Sequence, residues 1–273
     1  MKSKAPFLFA ADLDGTLLPN TGKPPAPGCL DRTQAFLDAL LENDVPICYV
    51  TGRHLSLARK GAGTFRLPLP TWWLCNVGTE IYDAQGEPDS EWERRLGREL
   101  DPHALRQALS GIPGLSVQEA QKQGRHKFSL YYPKPASERL KAEILHRASA
   151  LADGLQLIAS VEESCGRALL DIIPAQAGKK HAVEYMAHRL GLPKERVFFA
   201  GDSGNDLDVL QSGVCGTLVG NTPDEVRDQA MRAQGPESRL FVAGALYGDG
   251  VIEGLDHYGF WPLADVKQPA DPE

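Results

Sequence analysis

Residues 7–18 read FLFAADLDGTLL, an unbroken apolar run (Phe7, Leu8, Phe9, Ala10, Ala11) leading straight into Asp12-Leu13-Asp14-Gly15-Thr16. A run without polar alternation suits a strand covered on both faces, as at the centre of a parallel sheet. Open α/β sheets bind their ligands outside the carboxyl ends of such strands. Asp12 and Asp14 would then share one crevice mouth, where their repulsion calls for a cation or a shared proton. Mg²⁺ suits that place, because it takes a few carboxylate and carbonyl oxygens and leaves its other positions to water and phosphate. The plainer reading is a strand end running into a turn, for which Asp-Gly-Thr is good chemistry. The rest of the chain decides between the two.

Outward from there, residues 19–28 (PNTGKPPAPG) are too dense in Pro and Gly for a regular element and read as a flap. Leu30–Asn43 carries Leu30, Ala35, Phe36, Leu37, Leu40 and Leu41 at helical spacing. Val45–Val50 predicts a second buried strand, ending at Thr51-Gly52-Arg53. His54–Phe65 reads as a helix and Trp72–Val77 as a third strand, with Gly78–Tyr82 closing this part of the core. The alternation predicts a parallel sheet with helices on both faces.

From Asp83 the character changes. A polar passage, Glu87–Glu99, precedes a helix near Pro102–Leu109. Strand-like runs follow at Leu115–Glu119, Lys127–Tyr132, Leu155–Val161 and Ala168–Ile173, with a helix at Ser137–Leu151 among them. Strands outnumber helices here, so residues 83–174 read as an inserted α+β module with an antiparallel sheet. Residues 1–82 and 175–273 then form the α/β core. Its rhythm resumes with a helix at Lys179–Leu190, a strand at Val197–Ala200 and the turn GDSGND (Gly201–Asp206), which opens a helix through Leu210. A strand at Gly216–Val219 and helices at Pro223–Arg232 and Val251–Tyr258 complete it, and the polar, Pro-rich tail from Ala264 reads as frayed.

Composition narrows the class. At 273 residues, 42% hydrophobic and 24% charged, the chain has ordinary globular values and length for one large domain or two modest ones. A net charge of −7, without a dense Lys/Arg stripe, argues against a nucleic-acid partner. Cys29, Cys48, Cys75, Cys165 and Cys215 are odd in number and form no CxxC, so neither a disulfide framework nor a zinc site is expected. A reducing cytosol fits that usage. Met1–Lys4 is basic, but the apolar run behind it is too short for a signal peptide or a membrane span. A cytoplasmic protein without a membrane partner is the expectation. The seven histidines show no HxH or HExxH spacing.

Four polar points stand at strand ends or on the element just after: Asp12/Asp14, Thr51, Lys179 and the Asp202–Asp206 cluster. Singly, Thr51 could cap a helix, Lys179 could be a solvated first-turn residue, and GDSGND could be a hydrophilic turn. Together they complement one another. Asp12 and Asp202 would hold Mg²⁺ by their side chains, and the backbone carbonyl of Asp14 would add a ligand. The hydroxyl of Thr51 and the ammonium of Lys179 suit the equatorial oxygens of a transferring phosphoryl group. A carboxylate nucleophile beside a carboxyl acid is a route to an aspartyl phosphate.

With DLDGT, VTGR, Lys179 and GDSGND in this order, the chain resembles the haloacid dehalogenase (HAD) superfamily of phosphatases, over its whole core. The resemblance implies a doubly wound, Rossmann-like α/β fold in which Asp12 is the nucleophile. Asp14 is the acid that protonates the leaving oxygen and then activates water. Thr51 and Lys179 hold the phosphate, Asp202 is a metal ligand, and Asn205 and Asp206 support or ligate. It thus implies a metal set of Asp12, Asp14, Asp202 and Asp206 for Mg²⁺, with Gly52, Arg53 and Asn205 at the substrate. The insertion between Thr51 and Lys179 is where the superfamily carries a type-2 cap, typical of members acting on sugar phosphates. NVGTEIY (Asn76–Tyr82), DIIPAQAGK (Asp171–Lys179) and GDGVIEGLDHYGF (Gly248–Phe260) resemble the sucrose-phosphate phosphatase branch, and in the cap HKFSLYY (His126–Tyr132) matches loosely.

Sugar hydroxyls ask for fork-like donors, carboxylate acceptors and an aromatic face. Glu80, Trp92, Glu93, Gln121, Arg125, Lys127, Ser129 and Arg167 have suitable types, with Glu80 and Lys127 the better candidates. Any of them could equally be exposed cap surface, and Arg167 a solvated strand end. The expected protein is a Mg²⁺-dependent phosphatase of a sugar or disaccharide phosphate, a monomer or weak dimer. A sugar phosphotransferase of the phosphomannomutase type is the first alternative. A sugar-phosphate-binding regulator is the second, disfavoured because binding alone does not require both carboxylates of DLDGT.

Overall fold

The computed structural model describes residues 7–20, 22–162, 166–233, 235 and 238–262. The chain first forms β1 (Leu8–Asp12), α1 (Cys29–Glu42), β2 (Ile47–Val50), α2 (Leu55–Thr64), β3 (Trp72–Cys75) and β4 (Glu80–Asp83). Next come α3 (Ser90–Leu96), α4 (Pro102–Ala108), β5 (Ser116–Val117), β6 (Phe128–Tyr132), α5 (Glu138–Ser149), β7 (Leu155–Glu162) and β8 (Arg167–Pro174). Last are α6 (Lys179–Leu190), β9 (Val197–Gly201), α7 (Leu207–Leu210), β10 (Cys215–Leu218), α8 (Asp224–Arg232), β11 (Leu240–Val242) and α9 (Tyr247–His257). Cys165 and the tail from Ala264 lie outside the described residues. The four described cysteines are free and buried.

β1 lies in the middle of a seven-stranded sheet ordered β11-β10-β9-β1-β2-β3-β4. It pairs in parallel with β2 on one side and β9 on the other. Its alternate residues feed two cores, as the two-residue period of a strand requires. Phe9 and Ala11 pack with α1, α2 and α9, whereas Leu8 and Ala10 pack with α6, α7 and α8. Both Leu8 and Phe9 are fully buried, each worth about 1.5–3 kcal/mol of transfer free energy. This is the doubly wound core. Strand order reverses between β1 and β9, the kind of crevice where such sheets bind ligands.

One edge departs from the parallel expectation: β4 runs antiparallel to β3. The connection from Cys75 to Glu80 is too short for a parallel crossover, which needs a dozen or more residues. Asn76, Val77 and Gly78 instead turn back with φ of 49°, 60° and 82°. Val77 therefore leaves the strand that its apolar character suggested it would extend.

The second sheet, β5-β6-β8-β7, is antiparallel throughout. α4 and α5 cover one face of it over Leu105, Phe128, Leu130, Ile144, Leu170 and Ile172. The polar passage 87–99 is a correction, because it holds α3. Asp89 caps that helix by accepting from the N–H groups of Glu91 and Trp92. Trp92 and Leu96 bury its apolar side against the core of the first sheet. β7 lies against the 204–206 turn, and its Ile158 packs on the same core. Among the described residues no helix is long and apolar enough to cross a membrane.

Candidate active site

The floor of the crevice is built from four strand or helix ends. Asp12 closes β1, and Lys179 opens α6 with its Nζ 2.6 Å from Asp12 Oδ1 and 2.7 Å from Asp206 Oδ1. Asp206 Oδ2 accepts from the backbone N–H groups of Asp202 (3.2 Å) and Ser203 (3.1 Å) and from Ser203 Oγ (3.0 Å). All three of Asp12, Lys179 and Asp206 are at most 4% exposed. Asp202 reaches across to the β1 loop, where Thr16 Oγ1 donates to its Oδ1 at 3.5 Å. Gly15 makes that approach possible. Its φ is +80°, and a Cβ there would stand 2.0 Å from Asp202 Oδ2.

Charge in this floor is unbalanced. Oxygens of Asp12, Asp202 and Asp206 lie within 4.8 Å of one another, and one ammonium faces them. Burial pushes the Asp12 carboxyl up to about 8, against the pull of Lys179 and with added repulsion from Asp206 and Asp14. Burial acts to lower Lys179, but Asp12 and Asp206 outweigh it and hold the ammonium above its ordinary range. Lys179 therefore stays a cation, and the raised Asp12 marks a cluster of carboxyl groups that one ammonium does not balance. An all-oxygen donor set short of positive charge fits a hard divalent cation such as Mg²⁺. Asp206 has its oxygens on Lys179 and the 202–203 turn, and it also belongs to the cluster of carboxylates that could hold a metal ion.

Thr51 is fully buried, and its Oγ1 accepts from the N–H of Arg53 at 3.1 Å. The left-handed turn after β3 grips this segment: Val77 N–H donates to the Thr51 carbonyl (3.0 Å) and Asn76 N–H to that of Arg53 (2.9 Å). A β-branched residue at φ 60° is strained, and such strain collects at functional sites. Arg53 forks onto Asp14, with Nε 2.7 Å from Oδ2 and Nη2 on Oδ1. The Asp14 side chain is half exposed and turned to the guanidinium, so only its backbone carbonyl is left as a ligand candidate.

Above the floor lies a cavity of about 520 Å³. Asp12, Asp14, Gly52, Arg53, Asp202 and Asn205 line it from the core side. Lys127 enters from the second sheet, its Nζ 3.5 Å from the Gly52 carbonyl. The other cap candidates are elsewhere. Glu80 accepts from Tyr82 at 2.9 Å, and Arg167 sits 3.7 Å above the Tyr131 ring. Trp92 is buried against Tyr185, and Arg125 reaches Glu93 and Glu99 at an exposed edge. Gln121 is exposed, and Ser129 is buried with its hydroxyl on Asp171. In their place the second sheet presents Gln118, Lys122, Ser160 and Asp171, and the core adds Asn20 and Asn76. The alternation along β8 is the signal that could have found Asp171, opposite the strand face that carries Leu170 and Ile172.

A family model described as sucrose-6F-phosphate phosphohydrolase matches residues 5–259. A putative HAD-like hydrolase of Nitrosococcus oceani is 35% identical over 94% of this chain and 72% of its own length. The mannosylfructose-phosphate phosphatase of Agrobacterium fabrum is 29% identical over 93% of this chain and 98% of its own. The chain spans only 63% of the length of the tobacco sucrose-phosphatase 1, which it also matches. The Synechocystis sp. PCC6803 sucrose-phosphatase, solved with sucrose and phosphate, shares the fold with a TM-score of 0.80. That likeness covers 93% of this chain and 98% of the other at 23% identity.

Proposed function

Because the chain belongs to the sucrose-6F-phosphate phosphohydrolase family of HAD phosphomonoesterases, we propose that it hydrolyses a disaccharide phosphate by way of a phospho-Asp12 intermediate. The observation that carries the reading is the floor: Asp12 and Asp206 on one buried lysine with Asp202 beside them, beneath a wall of polar and charged side chains. Asp12 and Asp202, with the Asp14 carbonyl, would hold Mg²⁺, which when bound offsets the negative charge of the phosphoryl group.

Asp12 attacks phosphorus, forming an O–P bond as the bond from phosphorus to the sugar oxygen breaks. Asp14, at the cavity mouth, gives that oxygen its proton once it has left the Arg53 fork and entered the step as the protonated acid. It then takes a proton from the water that cleaves the acyl phosphate. Thr51 and Lys179 hold the phosphoryl oxygens, and Gly52, Arg53 and Asn205 shape their surroundings. Residues 83–174 serve as the cap over a core of 1–82 and 175–273. The four-stranded sheet in that segment supports this division, with α3 as an outlier that packs on the core. The family model and the Agrobacterium relative both name a fructosyl disaccharide phosphate, which favours that class over a hexose phosphate.

Phosphate release from sucrose 6-phosphate, other disaccharide phosphates and hexose 6-phosphates, with Mg²⁺ and with chelator, tests the reading. A strong preference for one disaccharide phosphate, abolished by chelation, is the expected result. No release of free phosphate, with the phosphoryl group passed instead to an added acceptor sugar, would make the protein a phosphotransferase.

A further inference from the structure

The GDGVIEGLDHYGF stretch has so far carried no role, yet the helix it forms is tied to the site. α9 begins at Tyr247, which is fully buried and holds φ at 53°. Glycine adopts that region at little cost, whereas an aromatic residue there is strained. Strain of this kind persists where its surroundings use the side chain. The Tyr247 N–H donates to Asn221 Oδ1 (2.9 Å), and Asn221 Nδ2 donates to the carbonyl of Gly15 (2.6 Å), one residue past Asp14. The phenol proton is shared between Asn20 Oδ1 (2.9 Å) and the Lys23 carbonyl (2.6 Å). A second donor, Gly22 N–H at 3.3 Å, also meets Asn20 Oδ1. Two donors thus turn the oxygen of that carboxamide toward the protein, on a residue that lines the cavity.

α9 is a firm base for this. Arg32 of α1 forks Asp249 with Nε and Nη2 both 2.7 Å from its oxygens. The two helices lie so close that a Cβ on Gly248 would stand 1.8 Å from Thr33 Oγ1. The flap itself has prolines at 19, 24, 25 and 27, which have no N–H to give and cannot anchor a side chain by a ladder of hydrogen bonds. On the reading that a sugar phosphate fills the cavity, we propose that Asn20 is a specificity-determining residue for the sugar and Tyr247 its positioning residue. The Tyr247 hydroxyl fixes which end of the Asn20 carboxamide meets a sugar hydroxyl.

The test is a double-mutant cycle on kcat and KM with wild type, Tyr247→Phe, Asn20→Ala and the double variant. The substrates are the preferred disaccharide phosphate and p-nitrophenyl phosphate, which carries phosphate without a sugar. Phe keeps the backbone bond to Asn221 and removes only the hydroxyl. Tyr247→Phe should lower the ratio of kcat/KM for sugar over aryl phosphate roughly three- to tenfold, mainly through KM. The double variant should be no worse than Asn20→Ala alone, because the hydroxyl acts through that side chain. Proportional losses on both substrates, or losses that multiply in the double variant, would overturn the assignment and leave Tyr247 a structural residue. An unchanged ratio in Tyr247→Phe overturns it as well. A wild type with no preference for sugar over aryl phosphate overturns the underlying reading, and this assignment with it.

Discussion

The two sides of the cavity are built differently. On the floor, charged groups are buried and bonded to one another: Lys179 bridges Asp12 and Asp206, and Asp206 in turn holds the 202–203 turn. These residues come from distant points of the chain, gathered by the carboxyl ends of β1 and β9 and the start of α6. The wall opposite comes from adjacent antiparallel strands and sets the neutral Gln118 and Ser160 among the charged Lys122, Lys127 and Asp171. Its Gln118 is anchored by Nε2 on the Leu130 carbonyl at 2.8 Å, and Asp171 by the Ser129 hydroxyl. A preorganised, water-poor floor stabilises charge that develops during phosphoryl transfer, at no cost of reorganisation in the reaction itself. A wall of such mixed donors and acceptors would distinguish sugars by hydrogen bonds left unmade with the wrong one. On the proposed function, the floor would do the same chemistry whatever the sugar, and the wall would choose it.

The comparison breaks most clearly at Asp12. Asp12→Asn keeps the side-chain shape and a hydrogen-bond acceptor for Lys179, so the fold should survive. Turnover on every substrate should fall by more than about a thousandfold, since the amide oxygen is a poor nucleophile. Single-turnover phosphate release beside a thermal melt separates the two effects. Near-normal turnover in a folded variant removes Asp12 as nucleophile, and the floor with it. Asp171→Asn on the wall should do less and do it selectively. A ten- to thirtyfold loss in kcat/KM on the disaccharide phosphate is about the size of one charged hydrogen bond. An equal loss on p-nitrophenyl phosphate would mean that Asp171 belongs to the chemistry rather than to sugar choice.

The same contrast explains what could be read from the sequence. Asp12, Thr51, Lys179 and Asp202 each sit beside a buried strand or at a helix start, so local patterning exposes them. The wall has no such signature. Gln118, Ser160 and Asp171 meet only because β5, β6, β8 and β7 pair side by side, and that register is set by partners far apart in the chain. Trp92 and Arg167 have the right chemical types for a sugar, but packing claims the first and the Tyr131 ring the second. α3 is hidden because only Trp92 and Leu96 of its seven residues are buried. β11, three half-buried residues at a sheet edge, offers no period to detect. The run GDGVIEG reads as a helix breaker, which delays the expected start of α9 to Val251. Its glycines instead admit close packing against α1 and β10.

The smallest effect belongs to the seam between floor and wall. His126 is 4% exposed and precedes Lys127, whose ammonium reaches the floor at Gly52. Burial lowers its imidazole below the ordinary 6.5, opposed by Glu99, a hydrogen bond with the Arg98 backbone, Glu93 and Glu80. Because the folded value lies below the unfolded one, the native state binds fewer protons than the unfolded chain as pH drops. Stability from this group is complete above 6.5 and is lost as pH falls through the lowered value. The slope is at most about 1.4 kcal/mol per pH unit. His126→Gln should therefore flatten the acid limb of stability, measured by urea unfolding between roughly pH 5 and pH 7.5. If the variant instead loses more stability than wild type on acidification, the imidazolium is the favoured form and Glu99 and Glu93 outweigh burial. Charge pairing would then extend along the seam, and the division between a floor of buried, mutually bonded charges and a wall of mixed polar groups would fail at its boundary.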